Sequence, residues 1–219
     1  MSEDEQFIFD SIFTQVRSGF YSLEDIQTNI LEEIEDNGFG DEISEEWACG
    51  QIDKVNAELL EECQQWEQPT ETDRLIAAFD ELAAKHKIIA LHDAGYITED
   101  SEYEVADIER VLNDHDTASE GYCFYNGEDL DPAVRGEGLQ LTFQKVENTS
   151  DATAKEVARK VIAVLEANGL KTAWDGKAAS PIILPGFKWQ RVYDENARDL
   201  HDNNHVIDTI LGYLDPMKI

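Results

Sequence analysis

A chain of 219 residues, 42% of them hydrophobic, can bury a real core as one domain with a sizeable extension or as two small domains, which argues against disorder. Its 48 acidic against 17 basic residues give a formal charge of −31, which disfavours direct contact with DNA or RNA because the phosphates would be repelled. Apolar runs such as Ile88-Ile89-Ala90-Leu91 and Ile182-Ile183-Leu184 fall far short of the roughly 20 residues of a membrane helix, so no span is expected.

The acidic start Met1-Ser2-Glu3-Asp4-Glu5 has neither the basic region nor the apolar stretch of a secretory signal, so export by that route is not expected. Cys49, Cys63 and Cys123 form no Cys-x-x-Cys pair and leave one over, which fits a reducing cytoplasm and packing roles.

Residues 4–67 read as helices. Phe7, Ile8, Ile12, Phe13 and Val16 recur at helical spacing up to Gly19, a residue type that stops helices. Ser22-Leu23-Glu24-Asp25 has the form of a capping box, in which a serine and an acid three residues on satisfy each other's backbone amides. Ile26, Ile30, Leu31 and Ile34 then make one stripe before Asn37-Gly38. A third helix is expected from a Ser44 cap to Trp66, with Trp47, Ile52, Val55, Leu59, Cys63 and Trp66 inward and a bend at Gly50. Gln68-Pro69 breaks the chain, and Thr70-Glu71-Thr72-Asp73 caps a fourth helix that turns Leu75, Ile76, Phe79 and Leu82 inward.

From residue 88 the period changes. Residues 88–92 read as a strand, 102–112 as a helix carrying Val105, Ile108, Val111 and Leu112, and 122–125 as a second strand. In residues 139–143, Leu139, Leu141 and Phe143 alternate with Gln140 and Thr142, the mark of a half-buried strand. A helix over 152–168 buries Val157, Val161, Ile162 and Leu165 and stops at Gly169, and 171–174 reads as a fourth strand. The order β-α-β-β-α-β predicts an α+β fold of ferredoxin-like type: a split βαβ sandwich with two helices on one face of an antiparallel sheet. Residues 182–184 and 188–192 are candidates to extend that sheet, and 204–214 to close the chain as a helix. The expected division is an acidic helical part over 1–69 and an α+β domain over 70–219.

The charge is uneven. Residues 1–67 hold 19 acids against 2 bases, residues 68–150 hold 19 against 6, and residues 151–219 hold 10 against 9. Adaptation to high salt would acidify the whole surface, so a nearly neutral last third points instead to a localised field.

Gly121-Tyr122-Cys123-Phe124-Tyr125-Asn126-Gly127-Glu128-Asp129-Leu130 and the preceding Ala90-Leu91-His92-Asp93-Ala94-Gly95-Tyr96-Ile97-Thr98 resemble an uncharacterised bacterial family, a domain of unknown function. Gly19-Phe20-Tyr21-Ser22, Asp73-Arg74-Leu75-Ile76-Ala77-Ala78-Phe79, Trp174-Asp175-Gly176 and Lys188-Trp189 fit the same pattern, and residues 36–67 and those after 192 fit it least. The resemblance implies a bacterial, cytoplasmic setting and supplies no catalytic residues.

His201 and His205 lie four apart and would share a helix face, but Asp202-Asn203-Asn204 between them are turn formers, which weakens a metal reading. His92 and Asp93 stand at a strand end, where sites tend to be built. Tyr96, Tyr122, Tyr125 and Asp129 are nearest to them in the expected topology, and with Trp174 they make the best ligand pocket the sequence offers. No nucleophile elbow or phosphate-cradling loop is present in the sequence, so no catalytic residue, metal or cofactor is assigned.

The acids Glu32, Glu33, Glu35, Asp36, Glu42, Glu45, Glu46, Glu58, Glu61 and Glu62 lie on or beside helices whose apolar stripes already explain the packing. Their mutual repulsion costs stability, which is easier to understand if the field attracts something. The leading expectation is therefore a non-enzymatic cytoplasmic module that binds a basic protein partner, immunity-like or a nucleic-acid mimic. The alternative is a small-molecule binder or enzyme using a pocket near His92, Tyr125 and Asp129. A third reading treats the acidity as a background property of the organism.

Overall fold

The computed structural model describes residues 1–146 and 149–216. The chain divides into two compact units, one made of Met1–Gln68 with Trp189–Arg198 and the other of Pro69–Lys188 with Asp199–Ile219. The protein is α+β, with eight α-helices and one four-stranded sheet among the described residues.

In the first unit α1 spans Glu3–Ser18, α2 Leu23–Asp36 and α3 Glu45–Glu62, followed by a 3-10 turn over Cys63–Gln65. The expected Ser22 cap is present: Asp25 N donates to Ser22 Oγ at 3.1 Å and Ser22 N to Asp25 Oδ2 at 3.3 Å. Ile8, Ile12 and Val16 of α1 meet Ile26, Ile30 and Ile34 of α2 and Ile52, Val55 and Leu59 of α3 in one apolar cluster. Phe7 is 51% exposed, one position off the stripe, with its ring edge on Phe39. Gly19 ends α1 at φ 68°, and a Cβ there would stand 2.7 Å from Arg191 Cγ. Residues 188–192 form no strand. Instead Trp189 Nε1 donates to Ser18 O at 3.0 Å and Arg191 Nε to Gly19 O at 3.0 Å, satisfying carbonyls that the end of α1 leaves open.

In the second unit the order is α4 (Glu71–His86), β1 (Ile88–Leu91), α5 (Thr98–Asp114), β2 (Gly121–Phe124), α6 (Gly127–Val134), β3 (Leu139–Gln144), α7 (Asp151–Ala167), β4 (Ile182–Leu184) and α8 (Asn203–Leu211). The sheet is mixed, not antiparallel. Its strands lie in chain order, β1 and β2 pairing parallel and β2–β3 and β3–β4 antiparallel. The crossover through α5 returns the chain to the edge of β1 itself, so the βαβ unit is not split by an intervening strand, and the ferredoxin-like order is not formed. Residues 171–174 also fail as a ladder strand: Ala173 alone bridges Ile183, because β4 already occupies the free edge of β3. The candidate at 182–184 is thus the real edge strand.

The two faces of the sheet are covered unequally. Leu139, Leu141 and Phe143 of β3 are buried. They share a face with Cys123 and Gly121 of β2, where a Cβ on Gly121 would strike Val157 of α7 at 2.5 Å. On the opposite face Tyr122 and Phe124 pack with Val105, Ile108 and Leu112 of α5, while Gln140, Thr142 and Gln144 of β3 are left partly open.

Candidate functional site

The residues singled out around His92 separate into different surroundings. His92 and Tyr125 are core residues, with Nδ1 and the phenol oxygen 3.2 Å apart and the imidazole stacked on Phe79 at 4.6 Å. Asp93, at φ 46°, turns the other way and accepts from His201 Nε2 at 3.1 Å. That carboxylate holds the His201 imidazole above its ordinary pKa, against the effect of burial. His205 Nε2 donates to Asp80 Oδ1 at 3.1 Å, so the two histidines engage separate carboxylates. Among the described residues no group of three His, Cys, Asp or Glu is placed to hold a metal. Tyr96 is 69% exposed, and its ring lies against Gly127, where a Cβ would be 2.7 Å from it. Trp174 Nε1 donates to the Lys177 and Ser180 carbonyls, both at 3.1 Å, closing the turn before β4. Burial pushes the Cys123 thiol well up, as in an inert packing cysteine.

Tyr122 and Asp129 do come together, at a cleft of about 400 Å³. Its floor is the uncovered face of β3, Gln140, Thr142 and Gln144, with Tyr122 beside them. The first turn of α5 contributes Thr98 and Glu102, and the start of α6 contributes Asn126, Glu128 and Asp129. Residues 178–181 close the remaining side. Asn126 caps α6: Asp129 N donates to Asn126 Oδ1 at 3.2 Å and Asn126 N to Asp129 Oδ2 at 3.3 Å, which fixes the Asp129 side chain at the cleft wall.

The wall is negative. Burial raises Asp129 to a pKa of about 6, opposed by the Asn126 amide and reinforced by Glu128. Burial also pushes Tyr122 up to about 12, with Glu102 adding to the shift. The described lining carries three carboxylates and no lysine or arginine. Sequence reasoning found Tyr122 and Asp129 but missed Glu102, Glu128 and the β3 amides. The alternation of Gln140 and Thr142 was the available signal, since a polar strand face beside a buried one needs either solvent or a ligand.

Of the ten acids singled out in the first unit, Glu32, Glu35, Asp36, Glu42, Glu45, Glu46, Glu58 and Glu61 are exposed and form no ion pair among the described residues. Glu33 accepts from Ser11 Oγ at 2.6 Å, and Glu62 pairs with Arg17.

These features define an α+β protein with an acidic three-helix unit and a second unit that carries a polar, negatively lined cleft on a mixed sheet. The chain belongs to the family described as Domain of unknown function (DUF6891), whose family model matches residues 1–193, bearing out the resemblance read from the 90–98 and 121–130 segments. No curated protein and no solved structure matches it. Among the described residues no helix is long and apolar enough to cross a membrane.

Proposed function

We propose that this protein is a non-enzymatic, cytoplasmic interaction module whose acidic helical unit docks a basic protein partner, in an immunity-like role or as a mimic of nucleic acid. The observation that carries this reading is the set of exposed carboxylates on and beside α2 and α3 that form no ion pair among the described residues, above an isoleucine-rich core that needs none of them. Such a field speeds encounter with a positive surface and rejects nucleic acid. His92 and Tyr125 bond to each other inside the core, so a small-molecule reading rests on the cleft at Tyr122 and Asp129 instead.

The test compares the full chain with a variant carrying Glu32→Gln, Glu35→Gln, Glu42→Gln, Glu45→Gln and Glu46→Gln, and with a second variant in which five exposed acids of the other unit are neutralised. A basic protein captured by the full chain, purified and rebound, is expected to lose at least tenfold in affinity for the first variant, with a steep salt dependence in the parent. Equal losses for both variants would reduce the effect to overall charge and sink the reading.

A further inference from the structure

We propose that α8 is a detachable cover, fastened over the apolar face of β1 and α5 by three side-chain bonds to carboxylates and loosened as pH rises. The inference concerns the second unit and stands independently of the docking reading.

Little apolar surface holds α8 in place. Of the residues Asn203–Leu211 only Thr209 and Ile210 are buried. Val206, Ile207 and Leu211 are half-covered against the cluster that contains Ile89, Leu91, Ile108 and Leu112. Thr209 is 3% exposed, yet among the described residues its hydroxyl meets no hydrogen-bond partner. A buried hydroxyl left unsatisfied costs the seated state, and water would satisfy it once the helix lifts. A short helix with so little burial belongs to the part of a fold that opens first.

The fastening is polar instead. His201, just before the helix, donates from Nε2 to Asp93 Oδ2 at 3.1 Å, Asn203 Nδ2 donates to Glu104 Oε2 at 3.2 Å, and His205 Nε2 to Asp80 Oδ1 at 3.1 Å. The three acceptors stand on different parts of the unit: the turn after β1, α5 and α4. His205 and Asp80 are 13% and 18% exposed, so solvent ions screen that pair little. Two of the three donors are imidazoles, whose bonds to carboxylates are charge-assisted at acid pH and lose that charge near neutrality.

The surroundings fix the direction of the response. The groups that act on His201 are Asp93, Asp199 and Glu104, His205 meets Asp80 of α4, and β1 itself brings no titratable side chain. Every one of these partners is an acid. The Asp93 bond, aided by the charges of Asp199 and Glu104, holds His201 above its ordinary pKa against the effect of burial. The charged imidazole therefore belongs to the seated helix. Its contribution is full below the ordinary value of 6.5 and is lost as pH rises through the higher one.

The test is hydrogen–deuterium exchange of the full chain, with protection factors corrected for the intrinsic pH dependence of exchange. It is read on peptides of α8 and, as an internal reference, of α7. Between about pH 6 and about pH 8.5 at constant ionic strength, protection of α8 is expected to fall at least threefold while that of α7 holds. His201→Gln/His205→Gln is expected to give the low α8 protection at both pH values, with α7 unchanged as the sign that the unit is folded. Asp93→Asn, which keeps a bonding partner in place without the charge, is expected to lose at least half of the pH response. Equal α8 protection at the two pH values, a loss that α7 shares in full, or a pH response undiminished in either variant would overturn the proposal.

Discussion

Removing the Tyr125 hydroxyl would take a hydrogen-bond partner from His92 Nδ1 inside a ring stack that Phe79 closes. Tyr125→Phe is therefore expected to cost about 1–3 kcal/mol, the usual penalty for disturbing a buried polar pair, read as a lower urea midpoint. Gly95 stands at φ 66°, with a would-be Cβ 2.5 Å from that of Asp100. Gly95→Ala should cost about 1–2 kcal/mol for the left-handed backbone alone, with further loss as Asp100 is displaced from the start of α5. Two groups with raised pKa values set the pH response. For Asp129, favourable protonation in the fold is lost as pH climbs from its ordinary 3.8 to about 6, so Asp129→Asn should flatten the stability profile across that window. For His201, raised above 6.5 by Asp93, the gain is fully present below 6.5 and lost as pH rises through the higher value, so parent and His201→Gln should converge in thermal midpoint on the alkaline side. His92 and Asp93 also mark a limit of sequence reading. Adjacent in the chain, they read as one site, but the turn at Asp93 sends one side chain into the core and the other to His201, just before α8.

The helices were largely legible and the sheet was not, for a reason that lies in the range of the interactions. The boxes at Ser22 and Thr70 are closed by groups within a few residues, and the stop at Gly19 lies in that residue's own left-handed backbone, so their signals sit in short stretches of sequence. Strand pairing joins distant segments. Residues 171–174 and 182–184 are both short and partly apolar, and only the register of Leu139 on Leu184 decides which holds the edge of β3. The cleft was half legible for the same reason: Asp129 and Tyr122 share one stretch of chain, whereas Glu102 reaches them through the parallel crossover and Gln144 through the antiparallel pairing of β3 with β2. The acidic helices make a prediction of their own. In α2, Glu32 and Asp36 are like charges four apart and both exposed, and Asp36→Lys would reverse the sign of that pair and place a cation at the helix C-terminus. A gain of about 0.5–1 kcal/mol is expected in chemical denaturation, together with weaker capture of a basic partner.

Over the whole molecule a charge of −31 means that much of the electrostatic energy is self-repulsion. Raising the ionic strength from 0.01 to 0.15 M shortens the screening length from about 30 to about 8 Å, so the thermal midpoint should rise by a few degrees over that range while affinity for a basic partner falls. The same salt series thus separates stability from docking, since the two move in opposite directions. The helical unit is discontinuous, Met1–Gln68 being completed by Trp189–Arg198. During synthesis its three helices leave the ribosome about 120 residues ahead of the segment that carries Trp189 and Arg191. At about 5–20 residues per second that is a wait of roughly 6–24 s, in which the Ser18 and Gly19 carbonyls and the Phe20 ring lack their native cover. A nascent chain of this protein therefore presents an unfinished surface at its most acidic end, one that a chaperone must guard or solvent must fill until the stretch that carries Trp189 and Arg191 arrives.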